Sequence, residues 1–250
     1  MSEIVAVINQ KGGTGKTTTS QNLGYGLARK GKKVLFIDLD PQGNLTFSCG
    51  INEFEYSLAD IIYQDVNIKD AIIKLEKNLD IVPTNIDLAH TELFLSQAED
   101  REYILAKALK KVEKSYDYII IDCQTSLSVL TINALAAAKG IVIPLQLTIL
   151  SLKGLDLIIS TIEDVKRNLN KKIRVLGVLP VMIDKRRKLT EEVIDIIKEN
   201  FDIPIYNAYI GQSVRVAEAP SFGKSVMEYS PNCRVALNYK DFVKEFLKRY

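Results

Sequence analysis

The sequence predicts an α/β fold: a doubly wound, mainly parallel sheet flanked by helices. Three observations predict it. Short Val- and Ile-rich runs recur along the chain, longer amphipathic stretches separate them, and a glycine-rich loop joins the first run to the first helical stretch. Continuous apolar runs suit strands covered on both faces, the condition of a parallel sheet. Their alternation with helical patterns gives the βαβα order of the class.

The runs are residues 4–8 (IVAVI), 34–38 (VLFID), 79–83 (LDIVP), 118–122 (YIIID), 141–145 (IVIPL) and 175–181 (VLGVLPV). Helices are expected over 17–29, ended by Gly31, and over 101–114, 155–169 and 190–200. The tail NYKDFVKEFLKRY is amphipathic, with Phe242, Phe246 and Leu247 on one side and lysines on the other. Such a helix packs on its own domain or lies on a membrane, and packing is the expectation. No repeat, low-complexity tract or linker interrupts the 250 residues, so 1–250 is read as a single domain.

Composition narrows the function classes. A net charge of +2 does not argue for nucleic acid, so any DNA site has to be a local patch. Cys49, Cys123 and Cys233 are odd in number and far apart, which excludes a disulfide framework and points to a reducing cytoplasm. The start, MSEIVAVINQ, lacks the basic region of a signal peptide. No window approaches the ~18 apolar residues of a membrane span.

The chemistry begins at NQKGGTGKTTT. A strand, a glycine loop and a helix in succession form the context of a phosphate-binding P-loop. Gly12, Gly13 and Gly15 let the backbone turn its N–H groups onto phosphate oxygens at a helix N-terminus. Lys16 is placed to reach the β- and γ-phosphates, and Thr17 to put its hydroxyl on Mg²⁺. The predicted binding set is Gln10, Lys11, Gly12, Gly13, Thr14, Gly15, Lys16, Thr17 and Thr18, with ATP or ADP and Mg²⁺ as cofactors. The ordinary pattern wants glycine at Gln10, and this loop instead carries an extra lysine, Lys11, at its entrance.

Carboxylates stand at two other strand ends. Asp38 and Asp40 are two apart, so on a strand they share a face and point into one cleft. An Asp-Pro turn at residues 40–41 is the structural alternative. Asp122 ends an apolar strand in the manner of a Walker B carboxylate, holding Mg²⁺ through a water.

With these motifs the chain resembles the ParA/MinD group of deviant Walker A P-loop ATPases, and the resemblance covers nearly all of it. VRVAEAPSFGK, from Val214 onward, is similar to the VRLSEAPSxGxP stretch of ParA (Soj-like) proteins. VMIDKRRKL and IPLQLTILSLKGL resemble two further stretches of the same proteins, although Thr148 and Ile149 replace a Glu-Tyr pair. The turn after Asp122 also departs: relatives read Asp-x-Pro-Pro-Ser, and this chain has Gln124 and Thr125 at the prolines.

The resemblance implies a slow, partner-stimulated, Mg²⁺-dependent ATP hydrolase. In it Lys11 reaches across an ATP-sandwich homodimer, Asp40 orients the attacking water and Asp38 supports the magnesium shell. It places Met182 and Pro220 about the adenine, and Arg186 and Arg215 on nonspecific double-stranded DNA. It further implies a ParB-like centromere-binding partner, a nucleoid location in the cytoplasm, and a role in plasmid or chromosome partition. A MinD-like membrane-cycling ATPase is the alternative. An iron protein of the nitrogenase type is disfavoured by the cysteine spacing. His90, Cys123, Tyr63 and Phe94 are read as structural, the two aromatics at core-like spacing.

Overall fold

The computed structural model describes residues 2–183 and 189–250. Eight strands form one sheet: β1 (Glu3–Val7), β2 (Val34–Leu39), β3 (Ile73–Glu76), β4 (Leu79–Val82), β5 (Tyr118–Cys123), β6 (Gly140–Gln146), β7 (Arg174–Ile183) and β8 (Ile210–Gly211). Their order is β3-β4-β2-β5-β1-β6-β7-β8, and every pairing is parallel except the β3–β4 hairpin at one edge.

Alternation along the central strands divides the core in two. Ile4, Ala6, Ile37 and Ile121 face one layer, Val5, Val7, Phe36 and Ile120 the other. The second layer is closed by the helices Lys16–Arg29 and Arg234–Arg249. Phe242 and Phe246 of the latter are fully buried there, so the amphipathic tail packs on the domain, as its pattern predicts. Gly24 is required where the first helix crosses the sheet: a Cβ there would stand 2.1 Å from the Phe36 ring.

All six predicted strands form. The helix expected from residue 155 starts earlier, at Ile149, because Thr148 and Ser151 make a capping box. The one expected over 101–114 is a 3-10 turn, Arg101–Tyr103, followed by the shorter helix Ile104–Lys110. Tyr63 and Phe94 correct an expectation. They are 62% and 40% exposed and meet edge to face on the surface, their rings 5.1 Å apart, outside the core.

Candidate functional site

Because the central strands are parallel, their carboxyl ends share one edge, and β1 sits where the chain order reverses between β5 and β6. Crevices at such switch points hold ligands. Here a cavity of about 1240 Å³ opens over that edge, lined among others by Gly12–Thr18, Asp40, Gln124, Met182, Pro220 and Tyr239.

The loop after β1 is held by its own side chains. Asn9 donates to the Pro144 carbonyl and accepts from the Lys11 N–H, and Thr14 Oγ1 donates to the Lys11 carbonyl. Gly13 and Gly15 adopt φ of 71° and 74°, and a Cβ on either would project into open space, so the loop is a bare backbone cradle. Lys16 is buried beneath it. Burial lowers its pKa, and the charges of Asp122 and Asp40 draw it back up. Lys11 stands apart on the exposed rim, its Nζ donating to Gln146 Oε1 at 3.0 Å, and neither it nor Gln10 lines the cavity.

The ends of β2 and β5 are in register, Asp38 beside Asp122. Both carboxylates are fully buried. Asp38 is pushed up to about 8 by burial and by the charge of Asp122, against hydrogen bonds from Thr46. Its Oδ2 accepts from Thr46 N at 2.8 Å and Thr46 Oγ1 at 2.7 Å, and its Oδ1 accepts from Asp40 N at 3.3 Å. The expectation that Asp38 and Asp40 share one cleft therefore fails. β2 ends at Leu39, the alternation stops with it, and only Asp40 reaches the cavity. Asp122 is raised to about 6, chiefly by burial, with the Thr17 and Ser20 hydroxyls opposing. Ser20 Oγ donates to its Oδ1 at 2.8 Å, while Oδ2 is buried with no partner.

The far wall comes from distant sequence. Met182, with φ of 56°, is the penultimate residue of β7 and faces the cavity together with Pro220. Tyr239 reaches it from the last helix, its hydroxyl 3.3 Å from Thr19 Oγ1. No local pattern announces Tyr239, which is 220 residues from its partner. Gln124 also lines the cavity, and its departure from the Asp-x-Pro-Pro-Ser pattern was the signal for it. Arg215 is exposed but paired with Glu218 at 2.7 Å, and Glu218 also accepts from the Tyr229 hydroxyl. Arg186 lies outside the described residues.

A family model described as an AAA domain matches residues 2–175. The sporulation initiation inhibitor protein Soj of Bacillus subtilis (strain 168) is 45% identical over 249 residues, 98% of each chain. The chromosome partitioning protein ParA of Caulobacter vibrioides (strain NA1000 / CB15N) is 40% identical, covering 98% of this chain and 94% of its own. Among solved structures, a cobyrinic acid a,c-diamide synthase from Mycobacterium smegmatis with bound ADP and magnesium has a TM-score of 0.87 at 34% identity, over 99% of this chain and 95% of that one. With a bare glycine cradle over a buried lysine, and near end-to-end likeness to two such proteins, this chain belongs to the ParA/Soj family of deviant Walker A P-loop ATPases.

Proposed function

We propose that the chain is a DNA-partitioning ATPase: it binds ATP, closes as a sandwich homodimer on nonspecific double-stranded DNA, and leaves DNA when a ParB-like partner stimulates hydrolysis. The observation that carries the reading is the meeting, in one cavity, of the glycine cradle with Lys16, Asp40 and the Gln124-Thr125 turn that follows Asp122.

The residues fit a magnesium nucleotide. Asp122 keeps one buried oxygen without a partner, an expensive state unless something polar satisfies it. Among the described residues no cluster of three or more carboxylate, His or Cys side chains could hold a metal. That is the ordinary situation for Mg²⁺, which takes one or two carboxylates and completes its shell with phosphates and water. Thr17 and Asp122 are the groups for it, and the ion would neutralise phosphate charge. Asp38, with its oxygens engaged by Thr46 and Asp40, fits a role in bracing the turn.

The chain's own groups then divide the task. The N–H groups of the loop bind the β-phosphate, and Lys16 holds the charge shared by the β- and γ-phosphates. Asp40 accepts a hydrogen bond from the attacking water. Lys11, on the rim with its side chain tethered among the described residues to Gln146, has the reach to serve a second protomer's nucleotide. Met182 and Pro220 flank the base. Burial of Phe242 and Phe246 supports the DNA reading over a membrane-cycling one, since that apolar face is already covered.

Co-sedimentation with nonspecific duplex at low salt tests the reading. Binding is expected with ATP and not with ADP, and weakens steeply as salt rises. ATP-independent binding, or none, would refute the DNA half of it.

A further inference from the structure

The turn after β5 puts Gln124 where the Asp-x-Pro-Pro-Ser pattern that the chain resembles has proline. Proline brings no side-chain polar group; glutamine brings two N–H donors and a carbonyl acceptor. Gln124 Nε2 donates to Glu92 Oε1 at 2.8 Å and to Ser128 Oγ at 2.7 Å, and Ser128 Oγ donates in turn to Glu92 Oε1. Glu92 belongs to the helix Asp87–Gln97, and Ser128 is the N-cap of the helix Val129–Ala137. Glu92 Oε1 accepts from both side chains, and an oxygen acceptor there holds the carboxamide with its nitrogen toward Glu92. Both N–H donors are occupied by these two side chains. Oε1 is the polar atom left over, without a partner among the described residues, on a side chain that lines the phosphate cavity.

We propose that Gln124 is a catalytic residue whose Oε1 accepts one O–H of the water attacking the γ-phosphate, with Glu92 and Ser128 as the positioning residues that orient it. The inference rests on the ATP-hydrolysis reading above. A water molecule donates two hydrogen bonds. Asp40, on the same cavity, takes one and Gln124 the other, which turns an oxygen lone pair toward phosphorus. The new O–P bond forms as the bond from the γ-phosphorus to the β,γ-bridging oxygen breaks. The bridging oxygen keeps the electron pair and leaves with ADP, and both water protons leave on the phosphate product. Gln124 stays neutral and takes no proton. Its effect is geometric, so its loss falls on turnover and spares ground-state nucleotide binding. The helix Asp87–Gln97 thereby acts on the reaction through Glu92, a residue that does not line the cavity.

The test is single-turnover ATP hydrolysis by the full chain with DNA, beside the affinity for Mg-ADP, in Gln124→Ala, Glu92→Ala, Glu92→Gln and the Gln124→Ala/Glu92→Ala double variant. Gln124→Ala is expected to slow hydrolysis at least about tenfold and to hold ADP affinity within about twofold. Glu92→Ala slows it comparably. Glu92→Gln retains a carbonyl that accepts from Gln124 and recovers most of the rate. The double variant is no slower than Gln124→Ala alone. A Gln124→Ala rate within about twofold of the unaltered protein overturns the inference, as does a rate loss matched by lost ADP affinity. Failure of the unaltered protein to hydrolyse ATP overturns the functional reading and this inference with it. Turnover by the unaltered protein beside an indifferent Gln124→Ala overturns the inference alone.

Discussion

The ends of β2 and β5 lie side by side, each carrying a fully buried aspartate, yet the two carboxylates live differently. Asp38 is enclosed by donors, with Thr46 giving it both a backbone N–H and a hydroxyl. Asp122 accepts from the Ser20 hydroxyl on Oδ1, with the Thr17 hydroxyl also favouring its charge, and its Oδ2 has no partner. Burial raises both pKa values, and Asp38 is raised further because Asp122 is a charged neighbour. The difference teaches that the same motif element, a carboxylate ending an apolar strand, becomes structural or available according to what the next turn donates to it. After β2 the chain folds back through Gly43, with φ of 62°, into a short helix that brings Thr46 over Asp38. After β5 the turn carries Gln124 into the cavity wall and leaves the buried Asp122 Oδ2 without a partner.

Removing each carboxylate separates the roles. Asp122→Asn is expected to lower Mg²⁺-dependent ATP turnover by about 10²-fold or more, measured by phosphate release. Its urea midpoint should hold or rise, because a costly buried charge is gone. Asp38→Ala should do the opposite. It strands the Thr46 N–H and hydroxyl and destabilises by about 3 kcal/mol, read from urea unfolding, with only a secondary loss of ADP affinity. Equal effects of the two on magnesium-dependent turnover would erase the distinction.

The pH dependence sharpens it. Each group holds its proton in the folded protein above the ordinary 3.8 at which it is lost on unfolding. The folded state therefore binds more protons, and this contribution to stability is complete below about pH 4 and declines as pH rises. One such proton gives a slope of up to about 1.4 kcal/mol per pH unit. The contribution of Asp122 should be exhausted near pH 6 and that of Asp38 near pH 8. Unfolding curves for the unaltered protein minus those for Asp38→Asn should keep falling from pH 6 to 8, and the difference with Asp122→Asn should be flat there.

The β2–β5 pair also shows what sequence can reveal. Both strands are apolar runs ending in aspartate, and both were legible because burial on two faces leaves no polar interruption. The phosphate loop was legible because bare-backbone conformations demand glycine. β3 was not: Ile73–Glu76 alternates lysine and glutamate with apolar residues at an exposed edge. β8 is two residues long and exists only through its pairing with β7. Asp38 was misplaced for the same kind of reason. The i, i+2 rule requires the strand to continue, and here it ends at Leu39 with Asp38 engaged by Thr46. Tyr239 and Glu92 enter the site region by tertiary packing alone, with no local pattern that announces either.

The smallest expected effect tests the clamp itself. Thr46 Oγ1 donates to Asp38 Oδ2 and accepts from Thr84 N at 3.1 Å, joining the turn after β2 to the segment after β4. Thr46→Val keeps the shape and the backbone N–H bond and deletes only this hydroxyl. It should cost about 2 kcal/mol, since both bonds of the hydroxyl are lost and the Thr84 N–H is left unpaired. Asp38 would then lose one of the two Thr46 bonds that favour its charged form, so its titration should move further up and the decline of stability extend to higher pH. Because both residues act through the same contact, Asp38→Ala and Thr46→Val should be strongly non-additive in a double-mutant cycle. Additive losses would mean that Thr46 matters for Thr84 alone, and that the backbone N–H suffices to hold Asp38.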